Sequence, residues 1–179
     1  MNLYAYLNAQ HTSALKKAEH ISRLPKQDKY SRKIFLDDLI RHLNSLFLAE
    51  QVSLYAAVEQ FATSTNFLES SLRNQEMVMS KLKSYALDPH DDDNIPHLLH
   101  TYNSNQQAYV FPVFKKHVNA DTEYALGNFS AQFYDQVFRD VHSRDAFMRT
   151  AAHLPGNLKE RARQRLEQVL HPYPLHHTA

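Results

Sequence analysis

Asn103-Ser104-Asn105-Gln106-Gln107-Ala108-Tyr109-Val110-Phe111-Pro112 is the stretch on which the reading of this chain turns. At helical spacing, with its flanks, it sets Leu99, Asn103, Gln107, Val110 and Phe114 on one face. Three of these are apolar and two are amides, so the face reads as a buried seam interrupted by polar side chains. Pro96 stands where proline suits a first helical turn, which predicts a helix over about residues 96–118. Pro112 lacks an N–H and should kink it.

The same spacing recurs upstream. Leu7, His11, Ala14, Ala18 and Ile21 form a seam on a helix over about residues 3–24, which Leu24-Pro25 ends. Leu39, Leu43, Leu46, Glu50, Leu54, Ala57 and Phe61 lie on one face of a second helix, about residues 30–61, long enough to admit a kink or a break. Thr63 to Asn66 offers an N-cap for a third helix, about residues 67–87, with the seam Leu68, Leu72, Gln75, Met79, Leu82 and Ala86. The acidic loop Asp88 to Asn94 then leads into the helix of the opening stretch. A weak internal repeat relates the surroundings of His11 to those of Gln75, and Leu46-x-x-x-Glu50 to Asn103-x-x-x-Gln107. Two helical hairpins in series predict an all-α protein built as an antiparallel up-down four-helix bundle. The expected organisation is the bundle over residues 1–120, a C-terminal helical extension over 121–170 and a flexible tail over 171–179.

Composition agrees with long helices. The 179 residues include 2 Gly, 7 Pro, no Cys and no Trp, which disfavours the many tight turns of an all-β protein. Zero Cys removes disulfides and thiolate metal sites and fits a reducing compartment. The formal net charge of +1 supplies no field for nucleic acid or anionic membrane. No apolar run reaches the roughly 18 residues of a membrane span, and the Met1-Asn2-Leu3-Tyr4 start lacks a secretory pattern. The expectation is a cytoplasmic protein with no nucleic-acid and no membrane partner.

Five polar residues interrupt the seams: His11, Glu50, Gln75, Asn103 and Gln107. A buried polar group without a partner costs roughly 1–3 kcal/mol, so five at one level must satisfy each other or something bound between them. These positions, with the Phe111-Pro112 ending, resemble the hemerythrin (HHE) family. That resemblance covers about residues 3–118 and implies two irons held by histidines and glutamates on four helices. Under it, His11 and Glu50 retain ligand types, whereas Leu46, Gln75, Asn103 and Gln107 stand where ligands would be. Amides are weak donors to iron, and two strong ligands are too few for a diiron centre.

Two readings of the layer stand side by side. In one, His11 and Glu50 pair with each other and the amides complete a hydrogen-bonded network, with no cofactor. In the other, His11, Glu50 and water hold one iron or other divalent ion. The functional counterparts are a binding or assembly protein without enzymatic activity, and a metalloprotein sensing oxygen, nitric oxide or iron. Elsewhere, His97 and His100 lie one turn apart near Asp91, Asp92 and Asp93, and read as ordinary surface residues. His176-His177 lie in the tail, and an unrelated enzyme would have to use the region of His142 and His153. Lys159, Arg161, Arg163 and Arg165 read as a solvated face of the last helix. Its apolar members, Leu158, Ala162, Leu166, Val169 and Leu170, suggest packing on the bundle or a homodimer through the C-terminal helices.

Overall fold

The computed structural model describes residues 1–62, 66–87 and 94–171, without the side chains of Asn66 and Leu87. All regular structure among them is helical. Helices α1 (Leu3–Arg23) and α2 (Lys29–Glu50) are followed by a π turn at Gln51–Tyr55 that runs into α3 (Ala56–Phe61). Next come α4 (Asn66–Leu87) and α5 (Ile95–Asn105), a second π turn at Gln106–Val110, and α6 (Phe111–His117). Then follow α7 (Ala120–Phe138), α8 (Ser143–Thr150), a 3-10 turn at Ala151–His153, and α9 (Gly156–Leu170). None of the described helices is long and apolar enough to cross a membrane.

Packing follows the apolar faces. Helix α1 packs on α2 and α5, and α4 packs on the same two. The seam read on α1 is buried throughout, as Leu7, His11, Ala14, Ala18 and Ile21. Asn2 caps α1 by accepting from the Ala5 amide at 2.8 Å. Helix α7 lies across both α1 and α2 and crosses the N-terminus at Gly127. A Cβ there would stand 2.0 Å from the Met1 carbonyl oxygen, so this crossing requires glycine. Helix α7 stops at Phe138, because Asp140 turns left-handed (φ 61°). Its amide and that of Val141 fold back onto the Val137 and Gln136 carbonyls.

At the first π turn the Ser53 hydroxyl donates to the Ala49 carbonyl at 2.5 Å, a bond that Ser45 also makes to Arg41 within the regular part of α2, so it does not set the turn by itself. The second ends two residues before Pro112, which cannot donate to the turn before it and whose ring crowds the carbonyl at Ala108. The predicted kink is therefore taken up as one inserted residue.

Helix α9 packs along α3 and the first π turn, burying Leu158, Ala162 and Leu166. Its basic residues are not uniformly solvated. Arg165 is buried and reaches Glu59 of α3 at 3.3 Å, while Arg163 pairs with Glu160 on the same helix. The reading of a solvated basic face is corrected at Arg165, because α3 covers that side of the helix.

Candidate functional site

The polar layer centres on Glu50, which is fully buried at the last position of α2. One carboxylate oxygen meets His11 Nε2 at 2.5 Å. The other accepts from Tyr102 OH at 2.6 Å and from Gln75 Nε2 at 2.8 Å. Gln75 also bonds outward, its amide oxygen accepting from Gln51 Nε2 at 2.9 Å. Tyr55 OH accepts from Gln106 Nε2 at 2.8 Å and from Gln75 Nε2 at 3.2 Å, and Ser71 is a further partner. Burial, and then the Glu50 charge, hold the Tyr102 and Tyr55 phenols well above the ordinary range. Both stay protonated, so Tyr102 remains a donor to the carboxylate.

The structure brings together His11, Glu50 and Gln75. It does not place Asn103 and Gln107 in this layer. Asn103 is half-buried, and Gln107 lies between Tyr4 OH, from which it accepts at 3.0 Å, and Asn8 Oδ1, to which it donates at 3.0 Å. Their places are taken by Tyr102 and Gln106, one residue earlier on the chain. The cause is the second π turn. Counting back from Phe114 in steps of four, three and four lands on Val110, Gln107 and Asn103. The inserted residue makes the core step from Phe111 to Gln106 five instead. Tyr55, Tyr102, Gln106 and Gln51 are absent from the sequence-derived site. The two tyrosines fall one residue off the seams read through Leu54 and Asn103, and Gln106 becomes inward only through the π turn.

The fit of a metal can be judged from this geometry. Two ligand atoms bound at about 2.1 Å to one ion, at 90–109° to each other, lie roughly 3.0–3.4 Å apart. His11 Nε2 and Glu50 Oε1 are at 2.5 Å, the distance of a direct hydrogen bond. The second Glu50 oxygen is occupied by two protein donors. His11 Nδ1 is buried without a partner, whereas a metal-bound imidazole ordinarily donates its second N–H to an orienting group. No third His, Cys, Asp or Glu joins the pair among the described residues. As arranged, these residues fit one another and not an ion.

A second buried histidine lies where α7 crosses α1 and α2. His42 Nε2 meets the Gln10 carbonyl at 3.2 Å and Nδ1 meets Tyr134 OH at 2.9 Å. A neutral ring satisfies both, donating from Nε2 and accepting at Nδ1. Burial first, then the nearby Lys17 charge, lowers its pKa to about 4. Burial together with Asp38 raises Tyr134 to about 12. The other histidines read from sequence are scattered. His97, His100, His142 and His153 are exposed. Asp91 to Asp93 and His176-His177 lie outside the described residues.

A groove of 400 Å³ opens beside the layer, with Gln51 and Gln75 in its lining. No known protein family, no curated protein and no solved structure matches this chain.

Proposed function

We propose that this chain is a hemerythrin-like four-helix bundle whose metal level has been rebuilt as a closed hydrogen-bond layer. Its activity is then binding or assembly and not catalysis. The pairing of α1, α2, α4 and α5, in which each packs on two of the others, supports the bundle. The observation that carries the functional reading is the saturation of Glu50. Both its oxygens are taken by His11, Gln75 and Tyr102, and a direct His11 contact occupies the side an ion would need. Buried polar groups satisfied in this way hold helix register without a ligand.

The second reading, a reduced metal site sensing oxygen, nitric oxide or iron, draws on the same His11–Glu50 juxtaposition. Elemental analysis separates the two, on untagged protein incubated anaerobically with Fe(II), or with Zn(II), and then desalted. The expected result is no stoichiometric metal, with Glu50→Gln remaining folded. Retention of one ion per chain, lost in a folded His11→Ala variant, would establish the reduced site and refute the proposal. Two irons with a charge-transfer band would do the same in favour of a full diiron centre.

A further inference from the structure

The groove beside the polar layer has apolar walls, among them Phe47, Leu48, Met79 and Val169. Its 400 Å³ falls within the usual range of small-molecule sites. Among the described residues no Lys, Arg or His lines it, and the one charged lining residue is the exposed Glu76. The polarity of its floor is set from inside the protein. Glu50 can only accept from Gln75, so the Gln75 nitrogen faces inward and its oxygen faces Gln51. Gln51 must then donate one N–H to Gln75, which leaves its amide oxygen, an acceptor, free at the outer end of the chain together with its second N–H.

Helix ends border the groove. Val137 stands in the last turn of α7, whose Gln136 and Val137 carbonyls are bonded to the Val141 and Asp140 amides, and Val169 and Leu170 stand in the last turn of α9. Ser143, the first residue of α8, also lines it. The adjacent cation, Arg144, is held by both Glu167 oxygens at 3.0 and 2.7 Å.

We infer that this groove binds an amphipathic amine. The protonated nitrogen lies between Glu76 and the Gln51 amide oxygen, and the hydrocarbon body lies on Phe47, Leu48, Met79 and Val169. This ligand class rests on the binding reading above. The test is an amide chemical-shift titration with octylammonium, octanoate and octanol, each below its aggregation threshold. Octylammonium should perturb α2, α4 and α9 residues of the groove and bind at least ~10-fold more tightly than octanoate. Glu76→Gln should weaken octylammonium roughly three- to fivefold and leave octanol unchanged. Met79→Trp should weaken both ligands by filling the groove.

Equal affinity for the three ligands, no binding of any, or an unaltered octylammonium affinity in Glu76→Gln would each overturn the proposal. A dimer by light scattering that Leu48→Asp dissociates would place a second copy on this surface and overturn it too. Metal analysis is independent of these outcomes. Failure of amine binding in metal-free protein refutes this inference alone.

Discussion

Replacing His11 with Leu tests whether the layer is held by charge complementarity. The change keeps much of the side-chain volume but leaves one oxygen of a fully buried carboxylate without a donor, while Gln75 and Tyr102 continue to serve the other. Loss of a hydrogen bond to a charged group costs about 1.5–3 kcal/mol. Removing one partner of a buried pair reaches about 3–5 kcal/mol, because the remaining charge is uncompensated. The higher range applies here, since neither residue has access to water: His11 is 2% exposed and Glu50 0%. For a chain of this size, each kcal/mol corresponds to roughly 2–4 °C, so His11→Leu should lower Tm by about 6–20 °C. Glu50→Gln alone should cost under about 2 kcal/mol, because the amide oxygen still accepts from Tyr102 and Gln75. The His11 ring can then switch tautomer to accept from the new N–H. Combined with His11→Leu, Glu50→Gln should recover at least ~1 kcal/mol by removing the stranded charge. Chemical denaturation of the four proteins in chelator measures the cycle. A His11→Leu cost below about 1 kcal/mol, or additivity within about 0.5 kcal/mol, would refute the account of the pair.

The regular helices were the legible part of the sequence. On α1, unbroken 4-3 spacing places His11 correctly, and the α2 seam up to Glu50 is correct for the same reason. Beyond an inserted residue the same counting fails, which is why Asn103 and Gln107 were expected where Tyr102 and Gln106 stand. Pro112 marks a disturbance but not whether it becomes a bend or a π turn. On α4 the expected Leu72 and Met79 are half-buried, while Ser71 and Val78 are buried. That helix packs on both α2 and α5, so its inward face is centred between two partners and not on one stripe. The tyrosines were missed for the same reason of register: the seams ran through Leu54 and Asn103, and Tyr55 and Tyr102 stand one residue away from them, beside the two π turns.

His42 should make stability depend on pH. Its folded pKa of about 4 lies below its ordinary 6.5, so between these values the unfolded chain binds more protons and stability rises with pH. The contribution is complete above pH 6.5 and is lost as pH falls toward about 4, at most roughly 3 kcal/mol. His42→Gln should flatten that window in denaturation curves, and an unchanged slope would remove His42 as its source. Gly127→Ala should cost about 1–3 kcal/mol, because its Cβ would force the Met1 carbonyl and the Leu3 amide away from α7. A Tm equal to wild type would show that the crossing is loose. Glu50→Gln should also alter a surface that Glu50 does not touch. The charge dictates that Gln75 donates inward, and thereby that Gln51 presents an oxygen to the groove. With an amide at position 50, a donor can face Gln75, whose side chain is then able to turn over and reverse the polarity of Gln51. The Gln51 oxygen would then be taken by Gln75 in part of the population, and the preference for octylammonium over octanol should fall although Glu76 is intact. Chemical-shift titration of Glu50→Gln measures this. Selectivity identical to wild type would mean that the buried layer and the groove are not coupled through Gln75.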